Sequence, residues 1–318
     1  MPVVYGGDSI AATFLNVLVP VFALVALGYL IAPRLQLDSR TLSRFAYFVL
    51  VPAFVFDVLG TAKLQAALAV RMAAYFIVVE IACALVGFLL ARVLRRNGPM
   101  TAAYVLIAVF PNVGNFGLPI AQFALGPQAL PAATVYFVAS TAISFVIGVS
   151  AAHWQRSSGP DGAPRAPGGA WRTVRQVAKT PGLIALIPAL LLDGFQIVPP
   201  PVIERPAALL AGALVPTMLV ALGAQLAHAG IPRLSVDMLV AAGARLIAGP
   251  IIGVLLVLPF GLTGVERGTG ILQASMPAAV LASIIALEND LLPDFVVATV
   301  LFSTLVSVVT LTVVLAFV

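Results

Sequence analysis

Two asparagines, two glycines and two prolines crowd the ten residues Phe110-Pro111-Asn112-Val113-Gly114-Asn115-Phe116-Gly117-Leu118-Pro119, in the middle of an apolar run. A helix crossing hydrocarbon without interruption has no use for them. Proline removes a backbone donor, and the polar groups set free at membrane depth need neighbouring protein, water or a ligand. If the helix breaks here, its second half, beginning near Gly117, presents unpaired N–H groups and a positive dipole end. The natural guest of such a terminus is an anion, above all a carboxylate. Asn112 and Asn115 each add two donors and an acceptor without the cost of burying a full charge. The chemistry on offer is reversible capture of a small anion. A plainer reading, in which both amides only satisfy the broken backbone, stays open at this point.

A second interruption occurs at Gln273-Ala274-Ser275-Met276-Pro277-Ala278-Ala279. Pro277 frees a carbonyl one turn earlier, and the small residues around it let another backbone come close. Gln273 and Ser275 offer polar contacts. Alone this is a kinked helix; together with the first break it becomes the second wall of a site. Glu80 lies near the centre of another apolar run, where a charge is expensive and usually functional. It is a candidate for ion coupling, by carrying a proton, or else a structural acid or the partner of Arg245. Asp57, late in its own run, is the weaker coupling candidate. His153 and His228 fall at the ends of apolar runs and read as interfacial.

Other chemistries have little support. Cys83 is the single cysteine and sits among apolar residues, and no His, Cys or carboxylate group has metal-ligand spacing. No Ser/His/Asp grouping or phosphate-cradling glycine loop occurs, so neither an enzyme nor a cofactor is expected.

These residues must be positioned by membrane helices. The chain of 318 residues is 61% hydrophobic and 9% charged, with mean hydropathy +1.11, far from the roughly 25% charged residues of soluble domains. An all-α polytopic membrane protein follows. Ten spans are expected, at about 10–32, 41–60, 67–91, 100–122, 130–152, 181–198, 204–227, 237–260, 267–287 and 293–317. No Lys or Arg precedes the first, and its length is that of a span, so it reads as a membrane helix and not a signal peptide. Residues 154–179, rich in Gly, Pro, Ser and Arg, have the composition of a linker.

Basic residues orient the chain. With the N-terminus outside, the inward loops carry Arg34, Arg40, Arg44, Arg92, Arg95, Arg96, Arg156, Arg165, Arg172, Arg175, Lys179 and Arg233, against Lys63, Arg71, Arg205 and Arg267 outward. Twelve against four places both termini outside and the linker in the cytoplasm. The net charge of +5 is thus a loop asymmetry and no sign of nucleic-acid binding. The linker separates two five-span halves, residues 1–153 and 180–318. Leu130-Pro131 and Leu292-Pro293 recur 162 residues apart, and Val51-Pro52 and Val215-Pro216 recur 164 apart. The same offsets carry Pro277 into the Asn112–Asn115 break. Five is odd, so the second half enters the membrane inverted, and paired interruptions in inverted halves point to a transporter site.

The segment Asn112-Val113-Gly114-Asn115-Phe116-Gly117-Leu118-Pro119 resembles the N-x-G-N-x-G-L-P signature of bacterial auxin efflux carrier family proteins, relatives of the PIN-type plant auxin exporters. Gln273-Ala274-Ser275-Met276-Pro277, Glu288 and Pro293-Asp294 are similar to a second pattern of that family, as are Arg245-Leu246 and Pro250. The resemblance covers essentially the whole chain. It implies a fold like that of bile-acid symporters and sodium/proton antiporters, with spans four and nine crossing at their breaks. Spans 3–5 and 8–10 would form a transport domain moving, elevator-fashion, against a scaffold of spans 1, 2, 6 and 7, which would also carry a homodimer interface. It implies small organic anions as substrates: auxin in plants, malonate, malate or lactate in bacteria. Asn112 matches both branches and Asn115 only the bacterial one. The expectation is a secondary transporter in a bacterial-type inner membrane, its site built from Asn112, Gly114, Asn115, Gly117, Gln273, Ser275 and Pro277, with H+ or Na+ as coupling ion. Helix breaks fall at Pro111, Pro119 and Pro277. The alternatives are a cation/proton antiporter of similar fold and a membrane sensor that binds without transporting.

Overall fold

The computed structural model describes residues 14–61, 66–157, 179–228 and 234–318. Among them the secondary structure is helical, in the order α1 Phe14–Leu35, α2 Ser39–Gly60, α3 Ala66–Val93, α4 Gly98–Val109, α5 Val113–Leu125, α6 Leu130–Ser157, α7 Pro181–Gly194, α8 Pro201–His228, α9 Val236–Val257, α10 Gly264–Ala274, α11 Val280–Glu288 and α12 Pro293–Leu315. Seven are long and apolar enough to cross a membrane: α1, α2, α3, α6, α8, α9 and α12. The expected runs 100–122 and 267–287 are not continuous helices. Each is cut in two, as α4 and α5 and as α10 and α11. The run 181–198 is also shorter than expected, its helix ending at Gly194. The linker's central residues 158–178, with Arg165, Arg172 and Arg175, lie outside the described residues, as do Lys63 and Arg233.

Prolines shape several of these helices in one recurring way. Turns of the wider π type run over Phe14–Leu18, Ala46–Leu50, Val113–Gly117 and Ala244–Ala248. Each ends two residues before a proline: Pro20, Pro52, Pro119 and Pro250. A proline cannot donate to the carbonyl four residues back, and its ring collides with it. Widening the preceding turn keeps that carbonyl clear of the ring and lets the helix continue. Such bulges frequently mark functional sites, and two of the four hold residues of the site described below.

Packing divides the helices by neighbour. Helix α1 lies along α8, and α2 packs on α7 and α8. Helix α3 contacts α4, α6, α9 and α10, while α12 lies against α9 and α11. The α1–α8 contact is backbone on backbone. A Cβ on Gly28 would stand 2.2 Å from the Val220 carbonyl oxygen, and one on Gly223 2.0 Å from that of Val25. Small residues at such crossings allow the close approach that holds membrane helices together. Backbone cannot yield as a side chain can, so Gly223→Ala is expected to cost about 1–3 kcal/mol through overpacking. The midpoint of thermal unfolding in detergent measures it, and a midpoint equal to wild type would show the helices to be further apart.

Candidate functional site

The two interruptions meet. The Asn112 N–H donates to the Pro277 carbonyl at 2.7 Å, and the Ala279 N–H to the Phe110 carbonyl at 2.6 Å, pairing Pro111 with Ala278 as an isolated antiparallel bridge. Two extended stretches thus satisfy at each other backbone groups that the breaks leave without helical partners. A third element helps: the Ser303 hydroxyl on α12 accepts from the Ala278 N–H at 3.2 Å and donates to the Val300 carbonyl at 2.9 Å.

Arg245 ties the breaks together. It lies in the widened turn of α9, and its side chain is fully buried. Its Nη1 donates to the Ala108 carbonyl at 2.8 Å, Nη2 to that of Ala274 at 2.6 Å, and Nε to that of Met276 at 3.0 Å. The first belongs to the last turn of α4, and the other two to the end of α10 and the residues just past it. A helix C-terminus leaves its last carbonyls unpaired and carries about half a negative charge. One rigid, permanently charged fork neutralises two such ends at once. Glu80 of α3, equally buried, places Oε1 3.6 Å from Arg245 Nη1. That is an ion pair too long to be a hydrogen bond.

The opposite ends of the breaks are open. Neither α5 nor α11 has a side-chain cap at its N-terminus. The half-helix expected to begin near Gly117 begins at Val113, because the turn before Pro119 is wide: the Gly117 N–H already donates to the Asn112 carbonyl at 3.0 Å. First-turn N–H groups, which have no partner within their own helix, are therefore those around Val113, Gly114 and Asn115.

Among the described residues, buried side-chain atoms without a hydrogen-bond partner include Asn112 Nδ2, both amide atoms of Gln273, both oxygens of Glu80 and the Tyr136 hydroxyl. A buried polar group normally has a partner, and leaving one without costs about 1–3 kcal/mol. Asn112 is 4% exposed and Gln273 not at all. The Gln273 amide lies over Gly117, where a Cβ would stand 2.0 Å from its Oε1. Gly114 faces the Phe137 ring, and Asn115 is half-buried. Ser275 is spent locally, its hydroxyl donating to the Ile271 carbonyl at 2.6 Å. Asp57 stands apart: its helix packs on α6, α7 and α8, and the residue is half-buried. His228 sits at the end of α8 with Nδ1 2.7 Å from the Ala224 carbonyl, and nothing is described of the His153 side chain. No group of His, Cys, Asp or Glu capable of holding a metal occurs among the described residues.

Sequence reasoning found Arg245 as a partner for Glu80 and as part of the family resemblance, without its three carbonyls, and missed Ser303 altogether. A signal for the latter existed. Ser140-Thr141 with Ser144 on α6 recurs as Ser303-Thr304 with Ser307 on α12, 163 residues on. In both helices the serine donates three residues back and the threonine four, to Phe137 (2.7 and 2.9 Å) and to Val300 (2.9 and 2.9 Å).

The family model described as "Membrane transport protein" matches residues 13–153 and 171–315. The chain is 28% identical over 311 residues to an "Uncharacterized transporter" of Methanothermobacter thermautotrophicus, covering 94% of this chain and 95% of that protein. It is 26% identical over 313 residues to a Rhizobium meliloti protein named "Putative malonate transporter", covering 95% and 94%.

Proposed function

The chain belongs to the membrane transport protein family, the one its asparagine motif resembles, and from that premise we propose that it is a secondary transporter of small organic anions. The observation that carries this reading is the crossing, where two uncapped half-helix N-termini open beside the unpartnered amides of Asn112 and Gln273. Donors buried without acceptors suit a guest rich in acceptors, and a carboxylate at helix N-termini has that character. Arg245 holds the breaks together, with three of its five N–H donors on carbonyls, and is not needed for capture. The anion is held by dipoles and amides, which bind without the grip of a full ion pair and so permit release. Malonate is the first substrate to try, given the name of the Rhizobium relative; malate, lactate and indole-acetate follow.

Movement is by alternating access. In this proposal α1, α2, α7 and α8 are the scaffold and the homodimer face, and α3–α6 with α9–α12 carry the site past it, elevator-fashion, with both termini outside. Support comes from the neighbour relations of the helices, and from the Ser-Thr repeat of α6 and α12, which extends the offset of the Leu-Pro pairs. The two five-span halves are then inverted copies, each broken once.

A thermal-shift screen of detergent-purified protein against these carboxylates, sodium and a pH series tests the site. A ligand at about 100 times its dissociation constant stabilises by roughly 2.7 kcal/mol. The expected outcome is stabilisation of wild type by a carboxylate, lost in Asn112→Ala and Asn115→Ala while both variants remain folded. Normal transport by the double variant would overturn the site, and a response to sodium or pH alone would favour a cation/proton antiporter.

A further inference from the structure

Among the described residues Glu80 is the one buried acid at the crossing, and neither the backbone pairing nor anion capture uses it. We infer that Glu80 carries the coupling proton, taken up together with the anion, while Arg245 fills with a tethered charge the place a coupling metal cation would take. This rests on the transporter reading above.

The geometry argues both parts. Three carbonyl oxygens and a carboxylate oxygen surround one place between the broken helices, that of the Arg245 guanidinium. Oxygens of this kind are the ligands a hard cation takes. The guanidinium already occupies that place, 2.6–3.0 Å from the carbonyls, so no alkali cation enters it without evicting a side chain. The same three bonds fix Arg245 where it is, and Glu80 is left at 3.6 Å with neither oxygen receiving a hydrogen bond. An acid so placed is poorly satisfied as an anion.

Charge balance gives the direction of coupling. Arg245 contributes one positive charge, and the two helix C-termini about half a negative charge each. With Glu80 protonated the group is near neutral; with Glu80 ionised it carries an excess negative charge in a water-excluded core. Among the described residues the other titratable groups in this neighbourhood are Tyr136 of α6 and, on α3 itself, Cys83 and Tyr75. None supplies a positive charge. An anion arriving at the nearby N-termini adds a second negative charge, which favours protonation of Glu80. By reciprocity a protonated Glu80 favours the anion. The two therefore travel in the same direction, as a symport of one proton per anion.

The test uses purified protein in proteoliposomes with radiolabelled malonate as probe and the membrane potential clamped at zero. At one proton per anion, a gradient of one pH unit, acid outside, sustains up to about tenfold accumulation. Wild type is expected to accumulate malonate on this gradient and to ignore a sodium gradient. In Glu80→Gln, pH-driven accumulation should vanish while exchange of outside for inside malonate persists; Glu80→Asp should recover the accumulation. Sodium-driven accumulation, or a Glu80→Gln variant accumulating like wild type, would overturn the inference. If wild type moves no malonate under any condition, that failure belongs to the substrate assignment, and a second readout decides Glu80 by itself. The infrared difference spectrum between acid and alkaline buffer should contain a protonated-carboxyl band that Glu80→Gln lacks. Identical spectra from the two proteins would overturn the proton role.

Discussion

Replacing Arg245 by alanine is expected to cost about 3–5 kcal/mol, the range seen when one partner of a buried pair is removed. Much of a protein's margin, typically 5–15 kcal/mol, would go with it. The side chain is fully buried, so solvent screening offers no relief. Its loss leaves the carbonyls of Ala108, Ala274 and Met276 without their donor at the ends of two half-helices, and Glu80 without its counter-charge. Arg245→Lys keeps the charge but loses the planar fork that reaches three carbonyls on two elements, so an intermediate loss is expected. Combining Arg245→Ala with Glu80→Gln should recover part of the deficit, because the orphaned charge disappears while the orphaned carbonyls remain. Thermal midpoints of the four proteins in one detergent close the cycle. An Arg245→Ala protein that melts with wild type would show that the breaks hold without it.

What could be read from residue order was the existence of the breaks, since proline, glycine and amide clusters are written in side chains. Asn112 and Pro277 were expected at one place on the strength of offsets, and a 2.7 Å hydrogen bond joins them. The bounds of the seven helices long enough to cross a membrane lie within a few residues of the expected runs. What could not be read has a common cause. The partners of Arg245 are backbone carbonyls, and a carbonyl has no identity in a sequence; nothing distinguishes Ala108 or Ala274 from the other alanines. The starting point of α5 was misplaced for a related reason. The chain shows Pro119, but whether the helix meets it by stopping or by widening the turn at Val113–Gly117 depends on what lies alongside, here Phe137 over Gly114 and Gln273 over Gly117. Ser275, in turn, looked like a ligand because its type allows it, and its hydroxyl is bonded to its own helix.

Gln273→Met is expected to raise stability and abolish transport, a pairing of opposite signs that separates a functional group from a structural one. Methionine is unbranched and near glutamine in shape, so it fills the same space over Gly117 without opening a cavity. The wild-type amide is fully buried, and both its atoms lack partners. An unsatisfied buried group costs about 1–3 kcal/mol, so an apolar replacement should gain an amount of that order. Evolution retains such a cost where the group serves something absent from the resting fold, and a carboxylate accepting from Nε2 is the guest proposed here. Gly117→Ala reaches the same amide from the other side, since its Cβ would stand 2.0 Å from Oε1 and push the side chain away. That variant should also lose transport, with little change in melting, because the displaced group is the flexible tip of a side chain. Thermal midpoints and malonate flux, measured on both variants, decide the matter. A Gln273→Met protein less stable than wild type would mean that the amide is bonded in the resting protein, and its role would then be to hold the crossing together rather than to receive an anion.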